Sequence, residues 1–212
     1  MHSLVLETSS LRGLFAILKD DKTLFKQELS FGVRESNELV PVIEMGFNET
    51  NLSINEIETI IVGRGPGSFT GLRIGASVAK AFSYAKSIPI VTVDSLKCLA
   101  PVQDGPFAVL LDAKAKGIFV QKGLKEHGQI YFEDQYTIIS ICEIEEEIKD
   151  RTALVTANRA TFASKLPKEV YQKLQEQSPQ PNLMLKMALK KSKNTLHNAQ
   201  DILDLEYFNS PG

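Results

Sequence analysis

The chain begins with Leu4-Val5-Leu6-Glu7-Thr8-Ser9, a turn and then Gly13-Leu14-Phe15, and this pattern returns in its second half. The counterpart is Val109-Leu110-Leu111-Asp112-Ala113-Lys114, a turn and then Gly117-Ile118-Phe119. Short apolar runs that end at turn-forming residues are typical of strands joined in hairpins. The carboxylate of the second copy follows that of the first after 105 positions, half the chain length. We infer a duplicated unit, and chance recurrence of similar hairpins is the alternative that the sequence leaves open.

The order of elements after each hairpin is also the same in the two halves. The first half predicts strands at Ser3–Leu6, Gly13–Leu18, Thr23–Leu29, Thr59–Val62 and Ile88–Val93. It predicts helices at Glu38–Phe47, capped by Ser36 and Asn37, and at Ser68–Lys86. In the second half an acidic helix, Ile141–Ile148, precedes a strand, Ala153–Thr156. We therefore predict an α/β fold of two β-β-β-α-β-α domains, residues 1–100 and 101–212, with the second domain smaller and divergent. Pro101 and Pro106 interrupt regular structure at the boundary.

The composition is that of an ordinary folded protein without a membrane segment. Of 212 residues, 43% are apolar and 24% are charged, and the formal net charge is −2. Neither half has the basic excess of a stand-alone nucleic-acid binder. No aliphatic and aromatic run is longer than that of Phe107–Leu111, which is far shorter than the roughly 20 residues of a membrane span. Cys98 and Cys142 form no C-x-x-C pair, so we expect free thiols and a cytoplasmic location.

A glycine-rich loop, Gly63–Gly75, connects a strand to a helix, and such a connection invites comparison with phosphate-binding loops. The spacing does not support it. No lysine follows the glycines as the Walker pattern requires, and Ser68 or Thr70 stands where the dinucleotide pattern needs its last glycine. Phosphate binding by this loop is therefore the less favoured alternative.

The helix that follows this loop has two faces of different character. One face carries a stripe of small residues at a spacing of four: Gly71, Gly75, Ala79 and Ser83. Another face carries apolar residues: Ile74, Val78, Ala81, Phe82 and Ala85. Because glycine lowers helix stability by about 1 kcal/mol relative to alanine, the two glycines predict the close approach of another backbone. We expect the apolar face to cover the chain's own sheet and the small-residue stripe to contact the Glu38–Phe47 helix, another chain or both; wholly intramolecular packing is the open alternative.

Independent chemistry has little support in the sequence. The three histidines, His2, His127 and His197, form no zinc-binding pair, and no G-x-S-x-G nucleophile elbow occurs, so a peptidase-like hydrolase is the weakest alternative. A self-sufficient ATPase or phosphotransferase is a stronger one, in which Glu7 and Asp112 would organise Mg²⁺. However, only five of the 13 glycines follow Ala100, so the second half lacks the glycine-rich phosphate loops that such enzymes use.

The segment Gly65-Pro66-Gly67-Ser68-Phe69-Thr70-Gly71-Leu72-Arg73-Ile74-Gly75 resembles the signature of the bacterial TsaB family. Three shorter matches support the resemblance: Leu6–Ser9 against I-D-T-S, Ser36–Pro41 against H-S-E-x-L-x-P, and Leu111–Lys114 against D-A-R. The departures are Glu7 for Asp, Glu35 for His, Asn37 for Glu, and Glu206–Asn209 for a closing P-x-Y-L-R. The resemblance is firm from Leu4 to Gln121 and faint beyond.

The resemblance implies two tandem actin-like (ASKHA, RNase H-like) domains and no catalytic, metal-binding or cofactor-binding residues. It implies a non-catalytic adaptor that binds and activates a TsaD-like enzyme in threonylcarbamoyladenosine modification of tRNA. The first two helices of the N-terminal domain would form the contact, and the same surface would form a homodimer when the chain is alone. The expected interface residues are Leu39, Val40, Ile43, Phe69, Leu72, Arg73, Gly75, Ala76 and Ala79.

Further partners follow from the same resemblance. A TsaE-like accessory ATPase and tRNA would be reached through the complex, and a nucleotide would bind, if at all, at the joint with the partner subunit. The basic stretch Lys186–Lys193 contains no acidic residue. A solvated helix face is the favoured explanation of it, and an RNA contact within a larger assembly is the open alternative.

Overall fold

A computed structural model describes residues 1–30 and 39–192 of the chain. The predicted cap at Ser36 and Asn37 lies outside these residues, as do Glu35, Glu38, Lys193, His197 and Glu206–Asn209. The described residues form two compact units. The first contains Met1–Cys98 and the described residues from Ser178 onward, and the second contains Leu99–Gln177.

The first unit is a five-stranded sheet with helices on both faces. Its elements before the second unit are β1 (His2–Glu7), β2 (Arg12–Lys19), β3 (Lys22–Ser30), α1 (Leu39–Thr50), β4 (Thr59–Gly63), α2 (Phe69–Lys86) and β5 (Ile90–Val93). The strand order is β3-β2-β1-β4-β5, in which β1 runs antiparallel to β2 and parallel to β4. Hairpins therefore build one half of the sheet, and helical crossovers build the other.

Successive side chains of the central strands point to opposite faces of the sheet, so the apolar core of the first unit has two layers. On one face, Leu4, Leu6 and Phe15 lie in a buried cluster with residues of α1 and α2. On the other face, Val5, Leu14 and Ala16 pack with residues of α5 (Pro181–Ser192). Strands that are buried on both faces read as continuous apolar runs, which is why the sequence pattern of β1 is so clear.

The second unit repeats the order of the first. Its elements are β6 (Gly105–Asp112), β7 (Ile118–Glu126), β8 (Gln129–Phe132), β9 (Thr137–Ile139), α3 (Ile144–Glu147), β10 (Ala153–Thr156), α4 (Lys168–Lys173) and β11 (Leu174–Glu176). The strand order is β11-β10-β6-β7-β8, with β9 as an addition that pairs with β7. When each sheet is read from the edge formed by its hairpin strands, and β9 is left aside, the strands appear in the same order: the third of the unit, then the second, first, fourth and fifth. The predicted duplication is confirmed.

The C-terminal part of the predicted second domain belongs to the first unit. Residues 101–212 were expected to form one domain, whereas the described residues from Ser178 onward pack with Met1–Cys98. The reason is the apolar side of α5: Met184, Leu185 and Ala188 are buried against the first sheet. The boundary between the units at Cys98 and Leu99 lies close to the expected one.

Two predicted helices differ in extent. The acidic helix expected over Ile141–Ile148 is a 3₁₀ turn, Ile141–Glu143, followed by the single turn of α3. Ser68 stands before α2 as its N-cap and accepts a hydrogen bond from the Gly71 N–H at 3.3 Å.

Among the described residues, no helix has the length and apolar character needed to cross a membrane.

Candidate functional site

Glu7, at the end of β1, is enclosed by its own unit. Its side chain is buried, and its Oε1 accepts a 2.7 Å hydrogen bond from the Ser9 N–H. The Cys98 thiol donates to Oε2 at 3.7 Å, and a Cβ added to Gly63 would lie only 2.0 Å from that oxygen. Burial, reinforced by the Glu7 carboxylate, raises the pKa of Cys98, so this thiol stays protonated. The carboxylate of Glu7 thus serves as a local structural acceptor.

The loop between β4 and α2 is fixed by hydrogen bonds to the residues after β5. Gly65 accepts from the Ser95 N–H at 2.8 Å and donates its own N–H to the Ser95 hydroxyl at 3.1 Å. The Arg64 guanidinium forms an ion pair with Asp94 at 2.7 Å. The glycine-rich loop is therefore fixed by residues of its own unit.

Backbone of Ser9 contacts the glycine-rich loop just before the start of α2. The Ser68 N–H donates a 2.6 Å hydrogen bond to the Ser9 carbonyl, and a Cβ added to Gly67 would lie 2.2 Å from that oxygen. A carbonyl oxygen already uses the donor that an anion would need. The Ser68 N–H is therefore engaged within the chain's own unit.

The small-residue stripe of α2 faces the interior of the chain's own unit, which corrects the prediction of a contact with α1 or another chain. A Cβ added to Gly71 would lie 1.9 Å from the Thr8 carbonyl oxygen, and one added to Gly75 would lie 2.3 Å from Thr8 Oγ1. Further along the stripe, the Ser83 hydroxyl donates to the Ile88 carbonyl at 2.6 Å. The residue that approaches both glycines is Thr8, directly after β1: its carbonyl faces Gly71 and its side chain faces Gly75.

The apolar stripe of α2 also differs from its expected role. Ile74, Val78 and Phe82 are only partly buried, and they pack at the margin of the core on the α1 side of the sheet. Ala81 and Ala85 are exposed. The small residues take the position over the sheet because they allow the helix backbone to lie closer to it.

The nine expected interface residues fall into two groups. Six are buried inside the first unit and offer no surface to a partner in this fold: Leu39, Ile43, Leu72, Gly75, Ala76 and Ala79. Three reach the surface: Val40 is 66% exposed, Arg73 is exposed and Phe69 is half-buried. The Arg73 guanidinium stacks over the Phe69 ring, 3.7 Å from its centroid. The surface part of the prediction thus rests on these three residues.

Sequence reasoning missed the most exposed aromatic residue of α2. Tyr84 is 89% exposed, and Met45 on α1 is 37% exposed. Tyr84 continues the solvent-facing row of Arg73, Ser77 and Lys80, at spacings of four, three and four. An aromatic residue in a polar helical row was the signal available in the sequence. We call Val40, Met45, Phe69, Arg73 and Tyr84 the outer surface of α1 and α2.

The two helices differ in charge. The exposed residues of α2 include Arg73, Lys80 and Lys86, and this helix contains no acidic residue. The charged residues of α1 are Glu44 and Glu49, both exposed. A partner for both helices would need an apolar contact zone with negative charge towards α2 and positive charge towards α1.

Asp112, the counterpart of Glu7 in the second unit, is neutralised by two lysines. Its Oδ1 lies 2.7 Å from Lys165 Nζ, its Oδ2 lies 3.1 Å from Lys114 Nζ, and the Lys114 N–H donates to Oδ1 at 2.9 Å. Burial raises the pKa of Asp112, but the hydrogen bonds from Lys165 and Lys114 outweigh it and hold the pKa below the ordinary value. Within the described ranges, no three His, Cys, Asp or Glu side chains cluster as metal ligands.

Comparison with known proteins identifies the family. Residues 34–178 match the protein-family model of TsaD, described as tRNA N6-adenosine threonylcarbamoyltransferase. The chain belongs to this family.

Named relatives then point to one group within it. The chain is 26% identical over 178 residues to the tRNA threonylcarbamoyladenosine biosynthesis protein TsaB of Bacillus subtilis, covering 80% of this chain and 76% of that one. It is 25% identical to the TsaB of Haemophilus influenzae over 58% of this chain and 54% of that one. These matches make it a member of the TsaB family, as the glycine-rich signature indicated.

Solved structures agree in fold. YeaZ from Pseudomonas aeruginosa superposes with a TM-score of 0.73 at 17% identity, over 94% of this chain and 96% of that one. A second structure, of a protein with similarity to the peptidase YeaZ from P. aeruginosa, gives a TM-score of 0.76 at 18% identity over 98% and 99%. The predicted fold class, tandem actin-like α/β domains, is confirmed.

The packing of α2 on β1 gives the first testable prediction. We expect Gly71→Ala to lower the free energy of unfolding by about 1 to 3 kcal/mol, because the new methyl group meets the Thr8 carbonyl. In an unobstructed helix the same change would stabilise by about 1 kcal/mol, so its sign is diagnostic. Urea denaturation followed by circular dichroism measures it. Ser77→Ala on the exposed row is the control, expected within about 0.5 kcal/mol of wild type; an equally stable Gly71→Ala variant would contradict the packing.

The ion pairs of Asp112 give a prediction about pH. Because its folded-state pKa is lowered, its stabilisation is present above the unfolded pKa of about 3.9 and is lost as pH falls through the folded value. We expect Asp112→Asn to be about 1 to 3 kcal/mol less stable than wild type at pH 7, and the gap to shrink below about pH 4. Urea titrations at several pH values test this, with the exposed Asp150→Asn as the control. A gap that stays constant with pH would count against the ion pairs.

Proposed function

We propose that the chain is a non-catalytic adaptor that binds and activates a TsaD-like enzyme in threonylcarbamoyladenosine modification of tRNA. The observation that carries the proposal is membership of the TsaB family, whose named members are threonylcarbamoyladenosine biosynthesis proteins. That membership ties the chain to this tRNA modification. The adaptor role goes further and draws support from the molecule itself.

The two carboxylates at equivalent strand ends support a role without chemistry of its own. Glu7 is buried and accepts hydrogen bonds from Ser9 and Cys98, and Asp112 is paired with Lys165 and Lys114. A general base or metal ligand needs a lone pair that can reach a substrate or ion. Both carboxylates are instead engaged by neighbouring groups of their own unit.

The partner would bind the outer surface of α1 and α2. Tyr84 and Val40 supply exposed apolar area, and Arg73 is oriented by its stacking on Phe69. Exposed tyrosine and arginine are the residue types that contribute most binding energy in protein interfaces. Activation would be a coupling free energy between this contact and the partner's active site. In the absence of the enzyme, a second copy of the chain would occupy the same surface.

The other components would act through the complex. A TsaE-like ATPase would bind the assembly, tRNA would be the substrate of the partner enzyme, and a nucleotide, where one takes part, would lie at the joint between the subunits. Calorimetric titration of the isolated chain with ATP and Mg²⁺ is expected to give no heat of binding. Binding by the chain alone would favour the alternative, a self-sufficient actin-like ATPase.

Reconstitution tests the adaptor role directly. Threonylcarbamoyl transfer to tRNA is measured by mass spectrometry of the nucleosides, with the TsaD-like enzyme and accessory ATPase present and this chain added or omitted. We expect transfer that requires the chain and no transfer by the chain alone. Equal transfer without it would refute the proposal.

A matched pair of tyrosine variants tests the surface. We expect Tyr84→Asp to weaken binding of the TsaD-like enzyme at least about 30-fold, because a charge would replace the most exposed aromatic side chain of α2. Tyr131→Asp is the control, since Tyr131 is 53% exposed on β8 of the second unit. Calorimetry gives the affinities, and thermal melting shows whether each variant folds. Wild-type affinity of a folded Tyr84→Asp variant would exclude this face as the contact.

A further inference from the structure

Helix α5 has a basic solvent face that no carboxylate balances. From Gln177 to Ser192 the chain contains three lysines and no acidic residue. Lys186 and Lys190 are exposed and lie four positions apart, so they project from the same face with about 6 Å between them along the axis. Asn182 precedes them in the same row, and its Oδ1 accepts a hydrogen bond from the Thr23 hydroxyl at 3.1 Å.

Several basic residues of the second unit are paired with carboxylates. Lys165 pairs with Asp112, Lys122 with Glu147 and Arg151 with Glu133. By contrast, Lys186 and Lys190 have no ion pair or hydrogen bond with any residue in the described ranges. Their charge is therefore available to an external anion.

The helix that carries them is firmly seated. Its opposite side, with Met184, Leu185 and Ala188, is buried against the first sheet. Near its end, the Lys191 ammonium donates to the Thr92 carbonyl at 3.0 Å. The lysine pair is thus presented from a fixed backbone, which reduces the entropy lost when a ligand binds.

The same packing decides between two polyanionic partners. A membrane-surface helix needs a free apolar face to enter the lipid, but the apolar face of α5 is used inside the protein and only Leu189 is exposed among its large apolar residues. A nucleic-acid backbone needs only the charge and hydrogen-bond donors. The arrangement therefore fits a phosphate backbone better than a lipid surface.

We propose that the Asn182–Lys186–Lys190 face of α5 binds the phosphate backbone of the tRNA that the complex modifies. The inference rests on the proposed function, which supplies the tRNA. The net charge of the chain is only −2, so the two contacts would add to binding by the assembled complex and would position the tRNA on it.

Neutralising the two lysines tests the proposal. The double variant Lys186→Gln, Lys190→Gln is compared with Lys168→Gln, Lys173→Gln, which removes the same charge from exposed positions of α4. Affinity for tRNA is measured by filter binding from 50 to 200 mM salt, with the chain bound to its TsaD-like partner. We expect the α5 variant to reduce the slope of log K against log salt by about 0.7 to 0.9 for each lost contact. The ratio of the wild-type affinity for tRNA to that of this variant then falls roughly ten-fold between 50 and 200 mM salt.

The outcomes separate this proposal from the adaptor role. Unchanged affinity and slope in the α5 variant would overturn the tRNA contact, and so would equal losses in both double variants. Loss of binding to phosphatidylserine vesicles with tRNA binding intact would overturn it in favour of a membrane contact. Calorimetry on the same samples reports association with the TsaD-like enzyme. If wild type fails to associate, the adaptor proposal falls and the tRNA contact, which rests on it, falls with it; intact association with an unchanged salt slope overturns the tRNA contact alone.

Discussion

The close contact between α2 and the end of β1 is the constraint on which the first unit depends. Gly71 and Gly75 leave room for Thr8, and Gly67 leaves room for Ser9, so the helix lies directly on backbone atoms. The Ser68 N–H completes the contact by donating to the Ser9 carbonyl. A side chain at Gly71 or Gly75 would lift the helix, because interiors are packed without spare volume. The orientation of every other face of α2 follows from this contact.

One consequence is that three glycines of the signature make close contacts within the chain's own unit. The same residues that would leave space for a phosphate leave space for the chain's own β1 end. A second consequence concerns the opposite side of α2: because the small residues face the interior, Arg73 and Tyr84 face the solvent. The signature thus fixes which residues of α2 remain exposed.

The duplicated carboxylates show how one position can be kept with different surroundings. Glu7 is buried and accepts hydrogen bonds from a backbone N–H and from a protonated thiol, whereas Asp112 is neutralised by two ammonium groups. Desolvated carboxylates need such partners, since an unpaired buried charge is strongly destabilising. Each unit thereby satisfies its own strand-end acid, and this arrangement agrees with an adaptor in which the two acids stabilise the fold.

The sequence by itself determined the repeat, the order of strands and helices along the chain, and the family. Alternating and continuous apolar runs and the glycine spacing are local properties. It also located α1 and α2 as the elements of interest. Only the tertiary structure decided which faces of these helices are free, since burial depends on what lies across the sheet: Leu72 and Ala79 are inside, and Tyr84 is outside. It likewise decided that α5 covers the first sheet, because the apolar residues of a helix show that it must be buried but do not say against which sheet.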